Sequence, residues 1–168
     1  LERKNNPSHE LLPNTYSESK TIILGSIESS DYPILFSGLA KYCSNGQEDL
    51  EKKNHRLIIV PHEIDKQNLQ SIHNNLSQLG FDIVYYTEQD ELLGSRVVII
   101  NVVGILADLY RYADLAYIGS GFNNSGIHSV LEPAVYNNAI SFGPKYHIVD
   151  MAVCLADLRF AAVIHSGD

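Results

Sequence analysis

The amino-acid sequence predicts a doubly wound, Rossmann-like α/β fold, a parallel sheet with helices on both faces. Three observations predict it. Short apolar runs alternate with longer amphipathic stretches along most of the chain, the alternation that βαβ units produce. The apolar runs are mostly uninterrupted, as expected of strands buried on both faces. Five of them end in small, polar or ionisable residues, and the carboxyl ends of the strands are where such sheets hold their ligands.

At 168 residues the chain is long enough for one domain with a real core, or for one lobe of something larger. Residues 1–20 are polar, carry Pro7 and Pro13, and read as a linker or arm; residues 21–168 read as the domain. The first strand is expected over 21–24 and ends at Gly25-Ser26. An acidic turn follows, Glu28-Ser29-Ser30-Asp31, in which Ser29 or Ser30 is suited to cap a helix over 32–43. The charged stretch 45–54 reads as a solvated connection. A second strand over 57–60 closes on Pro61-His62-Glu63. The helix over 66–79 has the clearest period, with Leu69, Ile72, Leu76 and Leu79 three or four apart and Gly80 ending the run.

Strands over 83–86 and 97–102 come next, the latter closing on Val103-Gly104 before a helix over 106–112. The fifth strand, 115–118, feeds into the most informative segment, Gly119-Ser120-Gly121-Phe122-Asn123-Asn124-Ser125-Gly126-Ile127-His128. A helix over 130–136 follows, then a strand over 139–142 closing on Gly143-Pro144-Lys145, a helix over 148–158 and a last strand over 161–164.

Composition narrows the function. A formal charge of −8 argues against non-specific binding to nucleic acid or acidic lipid, yet backbone N–H groups bind a small anion without net positive charge. No apolar run reaches membrane-spanning length and no leader segment is visible at the polar start, so the chain reads as soluble. Cys43 and Cys154 show no metal spacing and read as reduced thiols in a cytoplasmic setting. The sequons at Asn75 and Asn123 are then chance matches.

The glycine-rich segment is not a dinucleotide fingerprint, because Asn124 stands where the third glycine would fall and the segment follows the fifth strand. Gly119, Gly121 and Gly126 are open to two readings, turn residues or an anion cradle. His128 and Glu132, four residues apart, favour a site. His128 is suited to donate to a phosphate or sugar carboxylate, or else to cap a helix. Glu132 can accept two hydroxyl hydrogens, as in ribose recognition, or favour the helix dipole. Ser26 is placed for a phosphate or carboxylate contact, and strand-end position favours a role for His62. Neither a nucleophile elbow nor a Walker A signature occurs. No third ligand stands at a recognisable spacing from His128 and Glu132, so no metal and no cofactor are expected.

The run Gly104-Ile105-Leu106, Leu109-Tyr110, Ala113 to Gly119, Gly126-Ile127-His128, Leu131-Glu132-Pro133 and Phe142-Gly143-Pro144 closely resembles the C-terminal half of 3-deoxy-D-manno-octulosonic acid (Kdo) transferases. Gly25-Ser26 and Val60-Pro61-His62-Glu63 fall in the family's order and spacing, and the likeness covers roughly residues 20–150. It implies the C-terminal lobe of a two-lobed GT-B glycosyltransferase, truncated at its own C-terminus. It also implies a CMP-Kdo donor, a lipid A precursor as acceptor, and action at the cytoplasmic face of the bacterial inner membrane. Acceptor site, membrane contact and catalytic carboxylate would belong to an N-terminal lobe, so the fragment alone is expected to be inactive.

On that resemblance the Gly119–Gly126 segment, with Gly121 and Gly126, and the helix near His128 hold the CMP phosphate. Glu132 takes the ribose, Gly104, Ile105 and Leu106 frame the base, and Ser26 with His62 faces the phosphate or sugar acid. Ser129 stands where the family has asparagine, His62 where many relatives have arginine, and Ile27 to Tyr32 stand where the family has a threonine followed by an acidic pair, with Asp31 alone keeping an acidic position. Two rival readings stay open: a GT-B lobe for a UDP- or GDP-sugar, and a degenerate, non-catalytic binding module.

Overall fold

The strands lie in one seven-stranded sheet in the order β3-β4-β2-β1-β5-β6-β7, and every pairing is parallel. The structure, a computed structural model, describes residues 10–167. The elements are β1 (Lys20–Ile27), α1 (Tyr32–Tyr42), α2 (Gln47–Lys52), β2 (His55–Pro61), α3 (Lys66–Gln78), β3 (Ile83–Tyr85) and β4 (Val97–Ile99). They continue as α4 (Leu106–Leu109), β5 (Leu115–Ile118), α5 (Leu131–Val135), β6 (Ala139–Phe142), α6 (Asp150–Asp157) and β7 (Ala161–Val163). All seven expected strands form.

Alternation along β2 shows why the apolar runs are unbroken. Ile58 and Val60 pack with Leu109, Tyr110 and Val130 on one face, while Leu57 and Ile59 pack with Phe36, Leu39, Ile72 and Leu76 on the other. Both faces of the strand are buried over 57–60, so both register positions there carry apolar side chains. Helix α3 begins where its sequence says it should, because Asp65 accepts from the N–H groups of Gln67 and Asn68 at 2.9 and 3.0 Å.

The order of strands fixes where a ligand belongs. From β1 the chain moves outward to β2 and the edge strand β3, returns inward to β4, then crosses back to place β5 on the other side of β1. The carboxyl ends of β1 and β5 therefore flank the topological switch point, the crevice used by open α/β sheets.

Two expectations meet a different structure. Residues 1–9 of the expected arm, and Asp168, lie outside the described residues. Residues 10–19, however, pack on the sheet: Leu12 and Tyr16 are 2% and 1% exposed, and Asn14–Glu18 forms a turn of 3-10 helix. The Tyr16 hydroxyl donates to the Leu92 carbonyl at 3.2 Å, and the buried Arg56 guanidinium lies 4.2 Å from the Tyr16 ring centre. The Arg56 Nε donates to the Ser19 hydroxyl at 2.8 Å, and burial lowers its pKa. The charged stretch 45–54 is the second difference, since it contains α2, anchored by a single buried residue, Leu50. Among the described residues no helix is long and apolar enough to cross a membrane.

Candidate functional site at the switch point

Asp31 organises the crevice. It is fully buried, and its carboxylate accepts from three donors: the backbone N–H of Glu28 at 2.8 Å, that of Ser120 at 2.9 Å and the Tyr117 hydroxyl at 2.8 Å. It thus ties the turn after β1 to the end of β5. Burial, and secondarily the Asp31 charge, pushes the Tyr117 hydroxyl strongly toward its protonated form. Neither Ser29 nor Ser30 caps α1; Asp31 occupies the cap position, and the buried Ser30 hydroxyl oxygen has no partner.

Two serines end these strands with positive φ, Ser26 at 51° and Ser120 at 69°. Ser26 is the irregular residue where the register of β1 against β2 shifts. Its carbonyl lies 2.1 Å from where a Cβ on Gly119 would stand, and a Cβ on Gly121 would fall 2.4 Å from the Gly143 nitrogen. These two glycines therefore exist to let the loops after β1, β5 and β6 touch backbone to backbone.

The loop after β5 is largely satisfied from within. The N–H of Gly119 donates to Gly25, that of Asn123 to Ser120 and that of Ser125 to the Asn123 side chain. With Ser120 committed to Asp31, the backbone cradle expected over the whole Gly119–Gly126 segment is narrower than its sequence implies. Gly126 turns the chain at φ 77°. The helix expected near His128 starts at Leu131 and spans five residues. Its short dipole adds little to anion binding. Ser129, the exposed departure from the family, accepts from the Leu131 N–H at 3.3 Å and serves as a local cap.

Glu28, not singled out for binding by its sequence context, lies at the centre of the crevice. One carboxylate oxygen accepts from the Ser120 hydroxyl, the other from Asn123 Nδ2 at 2.7 Å. His128 Nε2 lies 3.5 Å from Glu28 Oε1 and 3.2 Å from the Ser120 hydroxyl oxygen. The exposed His62 ring stacks on His128 with 4.6 Å between centres, and the His62 backbone N–H donates to the Ile27 carbonyl at 3.0 Å. Glu28, His62 and His128 each offer a ligand atom within 4.8 Å of the others. Glu132, the partner of His128 by spacing, is not in this group; the fold instead brings Glu28 and His62, both remote in the chain, to His128.

The remaining candidates sit around this centre. Leu106 packs toward Gly25, and the Tyr110 hydroxyl fills the space beside that glycine. Gly104 is exposed with φ 87°, and Ile105 is half-buried. A carboxylate oxygen of Glu132 is buried and without a hydrogen-bond partner. Burial, and then the Glu132 charge, raises the pKa of Tyr110. On the other flank, a cavity of about 280 Å³ is lined by Ile27, Glu28, Ser29, His62, Glu63 and Asn68. A larger groove of about 970 Å³ lies between α1, β5 and the tail after β7, lined mainly by apolar residues such as Ile22, Leu24, Leu115 and Val163. It lies away from the strand ends and carries none of these polar groups.

Kdo transferases are homologues of this chain and cover most of its length. It is 30% identical over 129 residues, 76% of its length, to a 3-deoxy-D-manno-octulosonic acid transferase of Chlamydia muridarum. It is 27% identical over 132 residues to the corresponding transferase of Aquifex aeolicus. A bifunctional glycosyltransferase/methyltransferase of Fusobacterium nucleatum is 32% identical over 105 residues, 60% of this chain. The chain spans only 28% of the Chlamydia muridarum protein, 33% of the Aquifex protein and 16% of the Fusobacterium protein. Among solved structures, the C-terminal CMP-Kdo binding domain of WaaA from Acinetobacter baumannii superposes with a TM-score of 0.73 at 17% identity, covering 90% of this chain and 76% of that one. The trehalose-6-phosphate synthase OtsA follows with a TM-score of 0.56 at 14% identity, over 99% of this chain and 38% of that one. The fold is that of the C-terminal lobe of a GT-B glycosyltransferase. No family model matches the chain.

Proposed function

We propose that the chain is the donor-binding lobe of a Kdo transferase, holding CMP-Kdo at the crevice between β1 and β5. One observation carries the reading: the buried, unpartnered carboxylate oxygen of Glu132. A buried acceptor without a donor costs free energy that a ligand hydroxyl recovers. Two vicinal ribose hydroxyls match a carboxylate's two oxygens. Gly104, Ile105 and Leu106 then border the base, while His62 and His128 face the phosphate or the sugar acid. Ser26 shapes the end of β1 beside them, and Ser129 holds the loop by capping α5. The reaction is substitution at the anomeric carbon with CMP leaving, so this lobe contributes positioning and stabilisation of the leaving phosphate. The lipid A precursor, the contact with the cytoplasmic face of the inner membrane and the general base are assigned to the other lobe of the full protein.

Calorimetric titration of the chain with CMP, UDP and GDP tests this. CMP is expected to bind best, and Glu132→Gln, which replaces an acceptor by a donor, to weaken it by about 10-fold or more. Preference for UDP would transfer the reading to another sugar nucleotide. One observation favours the non-catalytic alternative: Glu28 already occupies the Ser120 and Asn123 donors. Absence of binding by all three nucleotides, with the fold intact by circular dichroism, would select it.

A further inference from the structure

Glu28 comes from the turn after β1, His62 from the end of β2 and His128 from the loop after β5, and no task assigned above is shared by all three. We propose that they form a binding site for a divalent transition-metal cation of the zinc class, with a fourth coordination position open to solvent.

The donor set decides the metal. Two imidazoles and one carboxylate suit zinc and its neighbours, whereas magnesium and calcium take oxygen ligands. The geometry is close to what zinc requires. Bonds of about 2.0–2.2 Å in a tetrahedron put neighbouring ligand atoms about 3.3–3.5 Å apart, and His128 Nε2 already stands 3.5 Å from Glu28 Oε1. The third ligand atom lies within 4.8 Å of both. His62 is exposed and closes the remaining gap by turning its ring off its stacked contact.

The surroundings hold the ligands in place. Asn123 donates to Glu28 Oε2 at 2.7 Å, while Oε1, the oxygen nearer His128, accepts one bond from the Ser120 hydroxyl and keeps a second lone pair for a cation. The Ser120 hydroxyl, fixed by the Asp31 anchor on its own N–H, donates to Glu28 as well. Such outer partners orient metal ligands and raise their affinity. A cation here also cancels the Glu28 charge, turning an acidic corner into one that accepts an anionic oxygen at the open position. The site stands on these residues whatever nucleotide the lobe takes.

Untagged protein is titrated with zinc chloride by calorimetry, with magnesium chloride as control, and cobalt(II) absorption reports the coordination geometry. The expected result is one zinc per chain, no magnesium heat, and cobalt bands of tetrahedral intensity. His62→Ala and Glu28→Gln should each weaken zinc by at least the roughly 10–100-fold that loss of an outer partner costs. His73→Ala, remote from the crevice and paired with Tyr85, should leave binding unchanged. Circular dichroism confirms that the exposed His62 variant is folded. Absence of zinc binding overturns the proposal. So does affinity equal to wild type in folded His62→Ala, or a loss in His73→Ala as large as in His62→Ala.

Discussion

Tyr117 shows how a single residue couples stability to the crevice. It is 1% exposed and donates to the Asp31 carboxylate, so its hydroxyl must stay protonated for the fold to hold. Tyr32, which donates to Asn68 at 2.6 Å, is likewise pushed by burial from 10.0 to about 12. Both folded pKa values are raised. Their contribution is therefore fully present below the unfolded value near 10 and is lost as pH climbs through the folded values. Urea midpoints should fall steeply between about pH 10 and 12. Tyr117→Phe removes one of the ionising groups and also strands one Asp31 oxygen. It should cost about 1–3 kcal/mol at pH 8 and show a shallower decline above pH 10. A decline as steep as wild type would separate Tyr117 from the alkaline transition.

At the scale of elements, the loops after β1, β5 and β6 behave as one interlocked unit. Gly121 and Gly143 meet backbone to backbone, and the Lys145 N–H donates to the Gly121 carbonyl at 2.9 Å. Adding one methyl at Gly121 places it 2.4 Å from the Gly143 nitrogen and 2.6 Å from its Cα, both backbone atoms that cannot rotate away. Gly121→Ala should therefore destabilise by about 1–3 kcal/mol and weaken CMP in calorimetry, because it displaces the loop bearing His128. Gly94→Ala meets nothing within 4 Å and should do neither. The sequence marked these glycines but could not say which served packing and which served a ligand, since that depends on a partner loop remote in the chain. The strands were legible because burial on both faces forces unbroken apolar runs. Helix α2 was not, because Gln47-Glu48-Asp49-Leu50-Glu51-Lys52 has one apolar residue and so no period to detect. Leu11, Leu12 and Tyr16, set in a polar context, were the trace of the packed segment before β1. The meeting of Glu28, His62 and His128 left none, because three loops supply them.

On the scale of the whole molecule, the crevice is a site with one wall. His62, Glu63 and Ser129 are exposed, and Glu28, His128 and Gly104 to Leu106 border open solvent. Positioning a leaving phosphate stabilises it from one side. Substitution at a sugar carbon also needs the acceptor hydroxyl held in line, a base to take its proton and water kept out. Nothing on this wall stands ready to do all three. His128 shares Ser120 and Glu28, and Glu132 is assigned to the nucleotide. Binding and turnover should therefore separate. The 168-residue chain is expected to give a CMP binding heat, yet to release no CMP from CMP-Kdo above a protein-free blank, with or without lipid A precursor, by mass spectrometry. Adding the rest of a relative as a separate polypeptide should restore release only if it closes over the strand ends. Release by the chain alone would place the base among the residues of this lobe, with His128 and Glu28 the pair to substitute first.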